Sequence, residues 1–418
     1  MIEPSPEQIE AEVAQWIADT WDPDLTVSQW WAKLTDAGLS HPMLGEHAFG
    51  RGYSRPGAQA VSRALKDGGV LGPPTGIGTM LAAPTIAEHG SQEQIDHYVR
   101  RVLDGTDSWC QLFSEPGAGS DLAGLNTKAE LDGEEWIVNG QKVWTSGGQY
   151  ADVGMLIART DADAPKHRGI TYFAISMDQP GVDVRPLKEM TGRAMFNEVF
   201  LSDARTNDSD AIGDYNDGWR VANTTLMWER ASLGAANVAV PSCMPGSIAG
   251  NLDKRAGDIV DQASGPRGTG GTGLGKGLFD FLTTTAKGNG AWDEGPTRQE
   301  LMKLYSLVEV NRLNGQRARV ANQRSGAEGN ISKLMMSEQF RRFRDVGSRV
   351  IGPDAMLMGS SSSTGGLVQG IALFSPAPAI YGGTDQVQRN IIGERVLGLP
   401  KEPGPPSTTA FKDLPKNG

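Results

Sequence analysis

The chain has 418 residues, enough for two to three domains or one composite fold whose core needs no disulfide or structural metal. Its 39 lysines and arginines against 50 aspartates and glutamates leave a net charge of −11, the wrong sign for gripping a nucleic-acid backbone. Two cysteines exclude a disulfide framework and a four-cysteine zinc module, and no apolar run is long enough to span a bilayer. The acidic, polar start Met1-Ile2-Glu3-Pro4-Ser5 has neither the basic nor the apolar region of a secretory signal, so a cytoplasmic location is expected.

Residues 1–110 read as helical. Ser5-Pro6-Glu7-Gln8 sets a capping box with proline at the first helical position, and Ile9, Val13, Trp16 and Ile17 follow at helical spacing. Ser91 and Gln94 repeat the box, with Ile95, Tyr98, Val99 and Val102 on one face and Gly105 as the stop. Residues 111–215 change period. Short strands are predicted at Thr127–Leu131, Glu135–Asn139, Val143–Thr145, Val153–Ala158, Thr171–Ser176, Val182–Pro186 and Val199–Ser202. Asp132-Gly133 and Asn139-Gly140 serve as turns between the first of them, and the set suggests a β-barrel or small sandwich. Residues 216–400 are helical again, with long segments at Val221–Leu252, Gln299–Asn322 and Ile331–Val350 and a glycine-rich insert at 264–277. Residues 401–418, rich in Pro, Lys and Ser, read as a mobile tail.

Two phosphate-loop patterns fall in that insert, Gly268-x-Gly270-x-x-Gly273 and Gly270-x4-Gly275-Lys276. Neither has a strand leading in, and Gly277 stands where a phosphate loop needs a hydroxyl, so the segment reads as a linker. The five histidines show no metal-ligand spacing, and no metal is expected.

Chemistry concentrates in three places. Leu112-Phe113-Ser114-Glu115-Pro116-Gly117-Ala118-Gly119-Ser120-Asp121 runs a strand into a turn able to present N–H groups and hydroxyls, although an ordinary polar turn reads the same way. Lys142-Val143-Trp144-Thr145-Ser146-Gly147-Gly148 sets an indole beside two hydroxyls, suited to a planar cofactor or simply to a core. Tyr381-Gly382-Gly383-Thr384-Asp385-Gln386 is a turn opening into a helix, with Thr384 as its cap and an N-terminus suited to an anion.

Together these segments resemble the acyl-CoA dehydrogenase family over nearly the whole chain, to Pro400. The resemblance implies an α+β multidomain fold: an N-terminal helical domain, a central β-barrel and a C-terminal four-helix bundle. It also implies FAD, and oxidation of an acyl-CoA thioester to the trans-2-enoyl-CoA as in fatty acid β-oxidation. A carboxylate takes the α-proton, the β-hydride passes to flavin N5, and electrons leave through electron-transfer flavoprotein. Many members place the base directly after the tyrosine of the C-terminal motif, where this chain has Gly382. The long-chain and isovaleryl branches place it before an arginine on the first bundle helix, which matches Glu229 beside Arg230. From the helix alone, a solvated carboxylate is the commoner arrangement; the resemblance makes Glu229 the expected base.

By the same resemblance Gln111, Leu112, Phe113, Ser114, Trp144, Thr145 and Ser146 line the flavin, and Thr384 and Gln386 meet its phosphate and adenosine side. Ser120, Arg230, Tyr381, Gly382 and Gly383 fall on the substrate side, with the Gly382 N–H toward the thioester oxygen. The family's Arg-x-x-Phe-Gly, which reaches a neighbour's FAD, is absent; Arg298 is the candidate replacement. A homo-oligomer, dimer or tetramer, is expected. The alternative is a heterotetramer with a paralogue, in which this chain acts on steroid or other bulky acyl-CoAs or completes a partner's FAD site without catalysis.

Overall fold

A computed structural model describes residues 3–233, 238–264, 275–320 and 328–415. The N-terminal layer comprises α1 (Pro6–Thr20), α2 (Val27–Asp36), α3 (Arg55–Asp67), α4 (Ala83–His89), α5 (Gln92–Gln94) and α6 (Arg100–Leu103). Both expected capping boxes are present, at Ser5/Gln8 and Ser91/Gln94. The layer closes on Trp30 and Trp31, wholly buried, whose indole N–H groups donate to the Leu71 and Gly72 carbonyls at 2.6 and 2.8 Å. Gly105 has φ +73°, and a Cβ there would enter the Trp31 ring, so glycine is required twice over.

Seven strands form the central sheet: β1 (Trp109–Leu112), β2 (Lys128–Asp132), β3 (Glu135–Ser146), β4 (Val153–Arg159), β5 (Ile170–Ser176), β6 (Val182–Leu187) and β7 (Phe196–Asn207). Their order is β1-β4-β2-β3-β7-β6, with β5 on the other side of β4; β1 and β4 run parallel. Asp132-Gly133 is a turn as expected, joining β2 to β3. Asn139-Gly140 is not. The chain runs straight through it as β3, with a bulge between Val138 and Gly140. The Asn139 amide and carbonyl oxygen bond Asp203 on β7 at 2.9 Å each, so the asparagine clips two strands instead of reversing one.

The third layer holds α7 (Gly218–Leu233), α8 (Ala256–Ser264), α9 (Lys276–Asn289), α10 (Gly295–Val320), α11 (Glu328–Ile351), α12 (Leu367–Phe374) and α13 (Asp385–Arg395). Leu282, Leu301, Leu304, Phe343, Val346 and Val350 form its core. The expected helix Val221–Leu252 is described as α7 up to Leu233, and from residue 238 to Leu252 the chain is not helical. Pro241, Pro245, Gly246 and Gly250 forbid its continuation, and the segment after residue 238 returns to the N-terminal layer. There Val27 and Ser28 N–H donate to Lys254 and Leu252, and Ala256 and Ile259 join the Trp30 core. The stretch 238–264 therefore packs with the N-terminal helices, although it lies within the expected bundle region 216–400. Most of the glycine-rich insert, 265–274, lies outside the described residues. The end of the expected mobile tail is docked: Phe411 and Lys412 N–H donate to Ala164 and Ala162 carbonyls at 2.9 and 3.0 Å. Among the described residues no helix is long and apolar enough to cross a membrane, and no acidic, His or Cys cluster could hold a metal.

Gly105→Ala combines a left-handed backbone penalty with overpacking against Trp31, together about 2–4 kcal/mol. Urea denaturation followed by tryptophan fluorescence should show an earlier first transition of about that size.

Candidate active site

The Ser114–Asp121 turn and the Lys142–Gly148 segment are tied together on the sheet, and α7 forms the junction that joins the sheet to the N-terminal layer and to α11, which carries the Tyr381–Gln386 turn. Helix α7 is fixed first. Thr225 is wholly buried, its hydroxyl 2.9 Å from Thr85 Oγ1 on α4 and 3.4 Å from Tyr172 Oη on β5. The Thr224 hydroxyl meets His89 Nε2 at 2.7 Å. Glu229 follows Thr225 by four residues, on the same face, and so is carried inward. Its neighbours Leu226 and Trp228 pack on the inner core, with the Trp228 ring 6.0 Å from His41. Burial pushes the Glu229 carboxyl above the ordinary carboxylate value; a hydrogen bond from Gln111 at the end of β1 and the Arg230 charge oppose this without cancelling it. Arg230 is held below its usual value by burial, and the charge of Arg395 on α13 adds to that.

The C-terminal turn is built around Gln388. Its amide nitrogen donates to the Gly382 and Gly383 carbonyls at 2.8 and 3.2 Å, and its oxygen accepts from Asn330 at 2.5 Å. Gly382 and Gly383 have φ +61° and +79°. A glutamate at 382 would therefore need a left-handed backbone, costing about 1–2 kcal/mol. Thr384 caps α13 as expected, its hydroxyl accepting from Val387 N–H at 3.2 Å. The buried Asp385 takes Lys333 at 3.4 Å and Arg341 at 3.1 Å. Burial alone would raise this carboxyl, but hydrogen bonds from Ser337 and Arg341, with Lys333, hold it below the ordinary range. Gln386 is exposed on the first turn of α13, and Tyr381 lies half-buried, its ring 6.1 Å from Phe374.

On the sheet, Lys142 is wholly buried and donates to Glu115 Oε1 at 2.9 Å and to the carbonyls of Phe113 and Ile157 at 3.1 and 2.9 Å. Glu115 also accepts from the Asn126 and Thr127 N–H groups at 2.7 and 2.9 Å. Burial pushes the Glu115 carboxyl up, but Lys142 and these donors outweigh it and hold it below the ordinary range. One ammonium thus ties the Ser114–Asp121 turn to β3 and β4. Val143 N–H adds a bond to the Ser114 carbonyl at 2.9 Å.

Trp144 is 61% exposed and has φ +62°, a strained backbone for a bulky residue, with Phe196 edge-on at 5.9 Å. Ser146 is half-buried. Thr145 between them turns the other way: it is wholly buried, and its hydroxyl has no partner among the described residues. Strand alternation thus puts the Thr145 side chain in the interior, against its expected place on the cofactor face. Leu112 and Phe113 likewise give their side chains to the two cores, leaving only backbone for an edge. Ser120 is exposed on the turn. The presented indole and hydroxyls suit one face of a flavin.

Arg298 is not brought to this junction. It lies at the start of α10, its guanidinium donating to the Trp292 carbonyl at 3.1 Å, near the Val350 end of α11. The Lys333 end of α11 carries the Tyr381–Thr384 turn, and the two ends are roughly 26 Å apart at 1.5 Å per residue. Glu115, Lys142, Gln388 and Asp385 carry no role in the sequence reading, yet they hold the site. Lys142 follows Asn139-Gly140-Gln141 and Asp385 sits between Thr384 and Gln386, so no apolar run marks them in the sequence.

Matches to family models run the length of the chain: the acyl-CoA dehydrogenase N-terminal domain at 6–106, middle domain at 110–204 and C-terminal domain at 281–397. The chain belongs to the acyl-CoA dehydrogenase family. It is accordingly an oxidoreductase with FAD as its cofactor. Acyl-CoA dehydrogenase IpdE1 of Mycobacterium tuberculosis is 35% identical over 89% of this chain and 88% of its own length. Acyl-CoA dehydrogenase FadE34 of the same organism is 36% identical over 88% of this chain, which spans 46% of that protein. The solved steroid acyl-CoA dehydrogenase Tcur3481-Tcur3483 superimposes with a TM-score of 0.70 over 96% of this chain and 99% of that one, at 22% identity.

Lys142→Met in this acyl-CoA dehydrogenase leaves Glu115 buried without its cation and should cost about 3–5 kcal/mol. Adding Glu115→Leu should recover part of that loss, which a double-mutant cycle in urea measures. Because the Glu115 carboxyl is depressed in the fold, its contribution is present above the ordinary carboxylate pKa. It is lost as pH falls through the lower folded value, so the cycle's coupling energy should shrink in acid.

Proposed function

We propose that this acyl-CoA dehydrogenase removes the α-proton of its acyl-CoA with Glu229 and forms the trans-2-enoyl thioester. The observation carrying this is the Glu229 carboxyl itself: pushed up by burial, yet held by Gln111 from the strand that leads into the Ser114 turn. A base raised toward neutrality accepts a proton from a weak carbon acid more readily than a solvated carboxylate. Gln111 donates to the carboxylate and fixes its orientation. Leu226 and Trp228 keep water from it. The Gly382 N–H is assigned to the thioester oxygen, a main-chain donor that the missing side chain does not remove. FAD, held by Trp144, Ser114 and Ser146 with Thr384 and Gln386 toward its phosphates, supplies the hydride acceptor, and electron-transfer flavoprotein is the proposed recipient. The substrate class is a steroid or other bulky acyl-CoA, steroid being the word in the name of the Tcur3481-Tcur3483 enzyme.

Arg298 favours a second reading. Its place at the far end of the bundle suits a contact to a neighbouring chain's cofactor, in a homo-oligomer or in a heterotetramer where this is the base-bearing chain. Protein expressed alone should be yellow in the first case; in the second, flavin should be retained only with the paralogue co-expressed.

Anaerobic addition of a steroid-type acyl-CoA should bleach the flavin of wild type, and Glu229→Gln should slow this by at least about 10²-fold. Equal bleaching would reject the base. The acid limb of kcat/KM should lie above ordinary carboxylate pKa values, and Gln111→Leu should move it higher by removing a donor to the charged form. The raised carboxyl costs stability as pH climbs from 4.5 through its folded value. Glu229→Gln should therefore melt no lower than wild type at neutral pH.

A further inference from the structure

A cavity of about 630 Å³ lies between the Ser114–Asp121 turn and the end of the chain. That volume falls within the range of small-molecule sites, about 300–1,000 Å³. One wall is polar: Asp121, Asn126, Lys166 and His167, with the backbone of Gly117 and Gly124. The rest of the lining is mostly apolar, a second wall formed by Pro405, Pro406, Phe411, Leu414 and Pro415, with Ser407 and Thr409.

The second wall is fastened. Beyond the two main-chain bonds to Ala162 and Ala164, Ala410 bridges Pro165 and Lys412 pairs with Asp163. The Arg159 guanidinium stands 3.7 Å from the centre of the Phe411 ring. Arg159 is itself fixed, donating to the Lys166 and Ala123 carbonyls at 2.7 and 2.6 Å. Burial lowers it only to about 10, so it stays a cation at neutral pH and the stacking persists. The chain thus spends a buried arginine on its own last residues.

A ligand matching both walls has a flat, weakly polar face and an anionic end. Lys166 at present takes both Asp121 oxygens, at 2.7 and 2.8 Å. Asp121 is half-exposed in that pair, so its carboxylate can turn into solvent and leave the ammonium to a phosphate. Gly117 and Asp121 flank Ser120, the residue assigned to the CoA portion of the substrate.

We propose that residues 405–415 are a strap forming the outer wall of a nucleotide pocket, where the 3′-phosphorylated ADP end of the thioester rests against Pro405, Pro406 and Phe411. The choice of this nucleotide rests on the acyl-CoA reading above; the strap and its anchoring do not. Phe411 acts as a binding residue, and Arg159 positions it.

Adenosine 3′,5′-bisphosphate, titrated calorimetrically into the flavin-loaded protein, tests this without requiring turnover. Phe411→Ala should weaken binding about five- to tenfold, the usual worth of one aromatic contact. A chain ending at Gly404 should weaken it further. Ser407→Trp, which fills the cavity with the strap in place, guards against misfolding of the truncated chain and should also weaken binding. Unchanged or tighter binding in all three, or no binding to wild type, would overturn the strap's role. Strap-dependent nucleotide binding with no flavin bleaching by any acyl-CoA would leave the pocket standing and remove the dehydrogenase reading. Bleaching with an unaltered KM for the CoA thioester in Phe411→Ala would do the reverse.

Discussion

The Lys142 ammonium is where three stretches of chain meet. It sits with no solvent at all, bonded to a carboxylate and two carbonyls, and the carboxylate in turn collects the N–H groups of Asn126 and Thr127. An ammonium taken out of water loses several kcal/mol of solvation, and only saturation of its donors makes the position tenable. Here all three donors are used. The result is geometric more than energetic: the Ser114 turn, β3 and β4 are set relative to one another by one atom. A salt bridge on the surface could not do this, because its partners would exchange with water.

The same device recurs in the bundle with the charges reversed. Asp385 is the buried centre, Lys333 and Arg341 its partners, and Gln388 beside it closes the two-glycine turn through Gly382 and Gly383. Helix α7 lies between the two anchors, pinned through Thr224 and Thr225. Despite burial, the carboxylates of the two anchors, Glu115 and Asp385, are held below the ordinary range by their own cations and donors. Glu229 rides on α7, and its carboxyl, unlike theirs, ends above the ordinary range because its donors do not cancel its burial. Paired groups hold the frame and the raised group is left to react, which is how environments that push carboxylates apart assign their roles.

The fold was legible because its period changes twice, helix to strand to helix, and because capping boxes at Ser5 and Ser91 mark helix starts by a purely local rule. The Asn139-Gly140 turn failed for a non-local reason: a turn dipeptide beside a long partner strand becomes a bulge, and only β7 reveals it. The helix through Leu252 failed because a periodic apolar pattern before Pro241 does not say where the following segment finds its partners. At the site, Glu229 and Arg230 are assigned by position in a motif, and the structure adds what position cannot, the Gln111 bond and the burial. Thr145 was misplaced because adjacent strand residues point to opposite faces, and a motif read as a string carries no faces. Glu115 and Gln388 went unassigned because their partners lie elsewhere in the chain.

The return of residues 238–264 to the N-terminal helices has a consequence for synthesis. Ala256 and Ile259 complete the core around Trp30, and the Val27 and Ser28 amides find their acceptors only at Lys254 and Leu252. At about 5–20 residues per second, the ribosome delivers those residues roughly 8–30 s after the first 106 have emerged. Through that interval the N-terminal helices stand with an open edge while the whole sheet is made and folds beside them. The order of assembly therefore runs against the order of the chain: the middle domain can close first, and the beginning waits for the end.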